Sequence, residues 1–582
     1  NNFSAHRFLA DSYSALPRHE IARVSELLRS QLLQPLNMTP IQPRLAESNL
    51  FLISGQGPAE LSFNEFNPLF ARNRITVQTT GAVAEDETMT GEGIASAISD
   101  SLSLSAGLTH FETDGWRDNA DQDDDIANVF LQWQASPDTS LQAEFRRRNT
   151  ENGDLQLNFF EDAFFPDEHQ DTDVDTFRLG FRHDLSHSSQ LLANVQYADK
   201  KVDYSNRIQT VTPFLPGSEA IIDFQPTVDI DEDYFGTELQ HIFSSTTLNI
   251  VSGGGSFDIQ GEETEITETT VTLPPPMPSP PTSTSPPLEK ALDVSHTNLY
   301  LYTYLNVIED LTLTVGASGD FFDSDYSRTE DRDQFNPKLG LIWTPWQGTT
   351  LRGAIFRTLK RTLITDQTLE PTQVAGFNQF YDDVDSTEAW HFGGAIDQAF
   401  TERLYGGLSL AARALEVPAP LGGTRVPSER IDWDERLGRA YLYLVPHDWV
   451  GLSLEYLVES FDYSQEFNLG ASEVTTHRLP LGIKAFHPCG ASFSLKATYW
   501  HQKGEFLPFL ADFKPENYVS ESDDFWTVDA ALSYRLPRRC GMVSLGARNL
   551  FDQNFEYFET DIDNPRVQPG RSLFFRITLE LP

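Results

Sequence analysis

The sequence predicts an all-β protein, a transmembrane antiparallel β-barrel of about 22 strands with a short N-terminal α-helical region. Three observations support this fold class. Between Arg74 and Leu581, segments of about 9 to 15 residues alternate apolar and polar side chains with the period of a β-strand, and each can cross a bilayer when tilted. Short connections such as SPDT and PWQG alternate with long, more acidic segments, as at the two rims of a barrel, and the long segments expected to be outer loops include 207–228, 262–293 and 362–387. No segment approaches the roughly 18 apolar residues that a membrane helix needs.

The composition agrees with a large barrel and limits its partners. The 582 residues carry a formal net charge of −44, which argues against binding nucleic acid because like charges repel. The mean hydropathy of −0.37 is low, as expected where every strand is half polar. Cys489 and Cys540 lie in two short turns, and the sequence leaves open whether they form a disulfide.

Residues 1–34 are predicted to form a helical pair. The second segment, RHEIARVSELLRSQLLQ, places five apolar residues on one stripe, namely Ile21, Val24, Leu27, Leu28 and Leu32. The pair resembles one unit of a tetratricopeptide-type solenoid, which implies a periplasmic position and a periplasmic protein partner. An amphipathic pair docked at the barrel mouth is an equal alternative. Residues 35–73 read as a connector and residues 74–582 as an outer-membrane β-barrel.

The end of the chain is predicted to close the barrel. Gly541–Leu581 contains two runs that alternate apolar and polar residues. The first leads into the segment GARNLFDQNFEY, and the second lies in the ending PGRSLFFRITLEL. These residues resemble the last two strands of TonB-dependent outer-membrane receptors. The positions that carry this resemblance are Asn549, Leu550, Phe551, Asp552, Gly570 and Arg571.

The segment Thr350–Phe400 strengthens the same resemblance. A strand that ends in Phe-Arg is followed by a loop with Leu369, Glu370 and Pro371 and then by a strand that opens on an acidic and an aromatic residue. The resemblance implies a bacterial outer-membrane protein that takes up a scarce solute, such as a metal chelate or a glycan, past an internal plug. Residues 1–73 are shorter than the folded plug of such receptors, so the sequence predicts no recognisable plug.

The lumen of the predicted barrel is expected to carry arginine. Where Leu141, Ala143 and Phe145 face lipid, the intervening residues face inward. Rows of guanidinium groups would suit an anionic solute, whereas the alternative is that they pair with lumen acids such as Glu144, Glu455 and Glu580 or hold an internal segment. The lumen candidates are Arg146, Arg148, Arg178, Arg182, Arg352, Arg413, Arg535, Arg548 and Arg576.

An acidic segment, GWRDNADQDDD, is the one candidate metal site in the sequence. Asp121, Asp123 and Asp125 offer the hard oxygen ligands that calcium prefers, although the segment lacks the glycine and distal glutamate of an EF-hand loop. A solvated extracellular acidic loop is the alternative. We expect no other cofactor.

The sequence therefore predicts an outer-membrane transport protein rather than an enzyme, since no set of residues singles out a nucleophile. Its expected partners are outer-membrane lipid and a small solute or a polymer. Two other functions remain open. A solenoid unit joined to a barrel resembles export conduits for exopolysaccharide, and a barrel of this kind can also serve only as a surface anchor for acidic extracellular loops.

Overall fold

The computed structural model describes residues 3–14, 16–36, 73–215, 218–325, 331–418, 430–463, 470–508, 517–561, 566–567 and 569–581. Within these ranges the chain forms two short helices and one closed antiparallel barrel. No helix in the described ranges is long and apolar enough to cross a membrane.

The elements of the described chain follow one another in a simple order. They are α1 (Phe3–Tyr13), α2 (Glu20–Leu33), β1 (Arg74–Ala84), β2 (Met89–Ser99), β3 (Leu102–Thr113), β4 (Gln122–Ser136), β5 (Thr139–Asn152), β6 (His169–Ser186), β7 (Ser189–Ser205), β8 (Ile208–Leu215), β9 (Ser218–Ser244), β10 (Leu248–Thr272), β11 (Ser283–Thr284), β12 (Leu288–Ile308), β13 (Leu311–Ser324), β14 (Arg332–Trp346), β15 (Thr349–Leu359), β16 (Gln373–Val374), β17 (Phe377–Asn378), β18 (Glu388–Thr401), β19 (Leu404–Pro418), β20 (Arg430–His447), β21 (Val450–Asp462), β22 (Ala471–Phe486), β23 (Ala491–Phe506), β24 (Val519–Arg535), β25 (Gly541–Arg548) and β26 (Ser572–Leu581).

The barrel wall contains 22 of the described strands, which confirms the predicted fold class. Each wall strand pairs with its neighbours in the wall, and β26 returns to β1, with Val77 opposite Leu581 and Ala84 opposite Phe574. This last pairing leaves no free edge among the wall strands, as a bilayer requires, because an unpaired backbone group in hydrocarbon costs several kcal/mol. Of the four remaining strands, β8 and β11 extend the sheet and β16 pairs with β17.

The wall shows apolar side chains on its outside and polar ones inside. On β3, for example, Leu104 and Leu108 are 46% and 68% exposed, whereas Ser105 and Thr109 on the opposite face are buried. A soluble protein would bury the leucines. This reversal is the arrangement of a barrel whose outer face meets lipid.

Two strands are much longer than a membrane crossing requires. β9 has 27 residues and β10 has 25, whereas about 9 to 11 residues cross a bilayer. The segments 207–228 and 262–293 were predicted to be loops, and strand structure instead covers much of both. The wall therefore continues beyond the membrane. The two segments are polar enough to resemble loops in the sequence, yet their backbones still form the hydrogen-bonded ladder of the sheet in water.

The helical pair lies inside the barrel. This differs from the predicted periplasmic position, although the predicted helices themselves are present. The stripe residues Leu28 and Leu32 pack with Leu192 and Ile242, which project inward from β7 and β9. The likeness to a tetratricopeptide unit stays a prediction.

Candidate functional site

The residues between β15 and β18, numbers 360–387, do not spread over the outer rim as predicted for 362–387. This inner loop folds down into the lumen, where Leu369 and Val374 are fully buried. Its short hairpin, β16 and β17, turns at Ala375 and Gly376, whose φ angles of 49° and 85° are the left-handed pair of a type I′ turn. Arg352, close to the short-turn rim, donates a 3.3 Å bond to the Gly376 carbonyl. We call α1, α2 and the inner loop together the lumen insert.

The inner loop caps the N-terminus of α2. The Asp382 carboxylate accepts hydrogen bonds from the backbone N–H groups of Glu20, at 2.9 Å, and Ile21, at 3.2 Å. His19, the residue at the capping position, makes no capping bond with its side chain. The first helical N–H groups need an acceptor. The helix thus depends on a carboxylate more than 360 residues away in sequence.

Further along, α2 and the inner loop are joined by bonds between buried groups. The Thr368 backbone N–H donates to the Ser25 hydroxyl at 3.1 Å. The Arg29 guanidinium donates to the Leu369 carbonyl at 2.8 Å and to the Glu26 carboxylate at 2.8 Å. These contacts follow the length of the helix, so the two elements form one unit.

The C-terminal end of α2 is held by the wall. The Gln142 side chain donates to the Gln31 carbonyl at 2.7 Å, and the Arg182 guanidinium donates to the Leu33 carbonyl at 3.0 Å. Gln142 lies near the short turn that precedes β5, and Arg182 lies near the short turn that follows β6. The helix therefore runs from the long-loop side of the lumen toward the short-turn rim.

A buried network of four charges fixes the end of the insert on the long-loop side of the lumen. The guanidiniums of Arg18 and Arg413 each contact both carboxylates, Asp383 and Glu435. Arg18 precedes α2, Asp383 belongs to the inner loop, and the other two project from the wall. Burial alone would raise the pKa of Asp383, but the Arg413 and Arg18 charges outweigh it and lower that pKa. The network is electrically balanced and links three elements.

A second network fixes the inner loop to another part of the wall, at β12 and β13. The Arg361 guanidinium contacts Glu370 within the loop and Asp320 on β13. Tyr302 donates its hydroxyl to Glu370 at 2.6 Å, and His296 lies 3.0 Å from Asp320. All of these side chains are buried. The loop is therefore held by directional polar contacts at both of its ends.

Two carboxyl groups of the inner loop carry raised pKa values. Burial, reinforced by the Glu20 charge, raises the pKa of Asp382 to about 7. Burial likewise raises the pKa of Asp366 to about 6, although the Lys360 charge opposes it. Both residues touch α2, because the Asp366 carbonyl accepts a bond from the Ser25 hydroxyl. Protonation of the Asp382 carboxyl, which caps α2, therefore bears directly on the contact between helix and loop, whereas the bond from α2 to Asp366 uses the backbone carbonyl of that residue.

Six of the nine predicted lumen arginines lie around the insert. Arg148 contacts Asp124, Arg178 contacts Glu144, and Arg352 contacts Asp397. Arg182 and Arg413 make the contacts described above, and Arg146 lies near Arg23 of α2. The remaining three, Arg535, Arg548 and Arg576, lie on the closing strands β24, β25 and β26, apart from this group.

The motif residues of the last outer loop form its base. The buried Asn549 side chain donates to the carbonyls of Gln553 and Gly570, at 2.8 and 3.0 Å. The Asp552 carboxylate accepts the Arg571 backbone N–H at 2.9 Å. The Arg571 guanidinium contacts Glu85 in the turn after β1. Leu550 continues the ladder through a bond to β24, whereas the Phe551 side chain is exposed.

Sequence reasoning missed the residues that lock the insert, chiefly Arg18, Asp382 and Asp383. Isolated charges give no periodic signal. One signal was present, since the inner loop contains Leu363, Leu369 and other apolar residues that an exposed loop would not keep together. Of the predicted calcium ligands, Asp123 and Asp125 lie on one face of β4, which begins at Gln122, whereas Asp121 lies in the segment before that strand. Calcium binding by these residues stays a prediction.

The comparisons with known proteins agree with this geometry. Residues 115–412 match the family described as TonB dependent receptor-like, beta-barrel. Similar solved structures include the ferripyoverdine receptor of the outer membrane of Pseudomonas aeruginosa, at 12% identity and a TM-score of 0.60, covering 88% of this chain and 72% of that one. The siderophore receptor PiuA from Acinetobacter baumannii has 12% identity and a TM-score of 0.61, covering 88% and 82%.

The copper transporter OprC also matches, at 12% identity and a TM-score of 0.62, covering 88% of this chain and 80% of that one. Likenesses at this identity establish the shared fold. No curated protein sequence matches the chain.

Proposed function

The chain belongs to the TonB dependent receptor-like β-barrel family, and from this premise we propose that it carries a solute across the outer membrane through a lumen that the insert gates. The family consists of transporters and receptors of the Gram-negative outer membrane rather than enzymes, and the barrel lies in that membrane. The finer proposal concerns the gate. It rests on one observation, the polar docking of α2 between the inner loop and the wall.

Polar docking suits a gate because it can be exchanged for water. An ion pair in a protein interior is nearly balanced by the cost of removing its charges from water. The contacts of Arg18, Asp383 and Glu435 would regain hydration if the insert moved, whereas separated wall strands would lose their whole ladder in lipid. The insert is thus the element whose release costs least.

The charges of the lumen bear on the solute. Arg148, Arg178 and Arg352 each face a carboxylate, and this pairing argues against the anionic solute that rows of free guanidinium groups would favour. We propose a scarce metal ion or its chelate, the class named for the structurally similar receptors. A periplasmic protein that pulls on the insert is part of this proposal, and the exposed Phe8 side of α1 offers it an accessible face.

Single-channel recording in planar bilayers tests the gate. We expect the whole chain to show little conductance and a variant that lacks residues 3–34 to show large, steady conductance. A variant with a shortened 273–287 loop is the control, because that loop lies outside the lumen, and it should stay as silent as the whole chain. Large, steady conductance of the whole chain would contradict the proposal and favour an open conduit.

A further inference from the structure

Four metal-ligating side chains meet on the outer face of the wall, away from the lumen insert. In the register of β3 and β4, His110 lies opposite Asp125 and Glu112 lies opposite Asp123. All four share the face of the exposed Leu108, because residues two apart on a strand point the same way. Their side chains are 40% to 62% exposed. The group is open to solvent and is held on rigid strands rather than on a loop.

The distances fit a metal site with an oriented imidazole. Asp125 Oδ1 lies 2.9 Å from His110 Nδ1, and Glu112 Oε2 lies 3.3 Å from His110 Nε2. When the Nδ1–H donates to Asp125, Nε2 keeps its lone pair. Metal-binding histidines generally use their second nitrogen in this way, as a donor to a carboxylate.

We propose that His110, Glu112 and Asp123 bind a divalent transition-metal ion such as Zn²⁺, with Asp125 positioning the imidazole. One ligand atom from each of the first three residues lies within 4.8 Å of the others. A nitrogen ligand with carboxylate oxygens suits zinc and its neighbours better than calcium, which takes oxygen alone.

The charges around the group supply an independent reason for a cation. Glu112 and Asp123 face each other directly across the strands, and the same row continues to Glu151 on β5 and Asp171 on β6. Like charges directly opposite each other destabilise a sheet. A divalent ion at the His110 end would neutralise the first pair of this row.

Titration calorimetry of the folded barrel in detergent micelles, with ZnCl₂ as the probe, tests the site. We expect His110→Asn to lose one equivalent of bound zinc and Asp125→Asn to weaken binding by about 10-fold to 100-fold. His183→Asn is the matched control, since His183 lies at the other end of the wall, on β6, and it should bind as the unaltered chain does. Circular dichroism and heat-dependent gel mobility verify that each variant is folded.

Two results would overturn the site. One is a His110→Asn chain that binds zinc with unchanged stoichiometry and affinity. The other is a site that takes CaCl₂ as tightly as ZnCl₂ with and without His110, because that would reduce the group to unspecific attraction by carboxylates. Visible absorption of the Co²⁺-loaded chain gives a second measurement, and we expect His110→Asn to abolish its ligand-field bands.

Discussion

The barrel wall and the lumen insert are held by different forces. In the wall, backbone ladders run through every wall strand, and residues such as Leu104 and Leu108 face lipid. In the insert, buried side chains such as Arg18, Asp382 and Arg361 make the decisive contacts. The wall can therefore lose no strand without exposing backbone to hydrocarbon, whereas the insert can leave its place and break no ladder of the wall. The molecule thus combines a shell held by backbone ladders with an insert held by side-chain contacts, and the proposed gate depends on this difference.

The largest effect should follow from breaking the four-charge network on the insert side. Arg18→Ala leaves Asp383 and Glu435 buried with a single guanidinium, and removal of one partner from a buried ionic group costs about 3 to 5 kcal/mol. We expect this cost to reduce the free energy of docking of the insert. The variant should therefore show long open events in bilayer recordings. Arg436→Ala, at the next position after Glu435 but exposed on the outer face, should leave the recordings unchanged.

A charge on the lipid face should weaken the wall instead. Leu179→Arg places a guanidinium in the apolar belt, at a cost of about 2 to 4 kcal/mol near the bilayer midplane. We expect a lower unfolding midpoint in urea with lipid vesicles. Leu179→Ile is the control and should unfold like the unaltered chain. The contrast with the insert fails if the folded Leu179→Arg barrel also conducts ions.

Removal of the cap from α2 should have a smaller effect than loss of Arg18. Asp382→Ala deprives two backbone N–H groups of their acceptor, and loss of a helix cap costs about 1 kcal/mol. Hydrogen exchange followed by mass spectrometry should show faster exchange in the first turn of α2. Asp162→Ala, which removes an exposed carboxylate from another outer loop, should not alter that exchange. Equal exchange in both variants would mean that Asp382 does not cap the helix.

The smallest effect concerns pH. The pKa of Asp382 is raised to about 7 and that of Asp366 to about 6. A carboxyl whose pKa is higher in the docked than in the undocked state holds its proton more tightly when the insert is docked. Docking therefore weakens as the pH rises through the docked-state pKa. Between pH 6.5 and pH 8 we expect a loss of about 1 kcal/mol or less. Open probability should rise over this interval.

Asp382→Asn should remove most of this rise. His19 acts in the opposite sense only below about pH 6.5, because burial lowers its pKa to about 3. An open probability that falls between pH 6.5 and pH 8 would contradict the assignment.

The wall could be read from the sequence because alternation is a local property. The closing strand β26 and the base of the last loop at Asn549 follow from patterns within a few residues. The position of α2 does not follow from such a local pattern. Its apolar stripe predicts one buried face, yet residues Ile21–Leu33 are buried throughout. In a polar lumen, the polar face of the helix is buried as well. An amphipathic sequence pattern is therefore the same for a helix inside such a lumen and for a helix whose polar face meets water.

The inner loop illustrates the same limit. Its length and its charged residues are typical of an outer loop, and its path into the barrel depends on partners such as Glu435 that lie far away in sequence. The predicted lumen arginines met a similar difficulty. The alternation of apolar and polar residues predicts that these arginines face the lumen. Which carboxylate each arginine contacts, such as Asp397 for Arg352, depends on the pairing register of neighbouring strands.

A reversible clamp across the insert tests the central claim most directly. Ser25→Cys and Thr368→Cys, added to Arg18→Ala in a chain with Cys489→Ser and Cys540→Ser, would join α2 to the inner loop where the Thr368 N–H lies 3.1 Å from the Ser25 oxygen. Single-channel conductance is then recorded before and after reduction. We predict a silent barrel when the disulfide is formed and steady conductance after reduction. Equal conductance in both states would contradict a gate made by the helix and the loop.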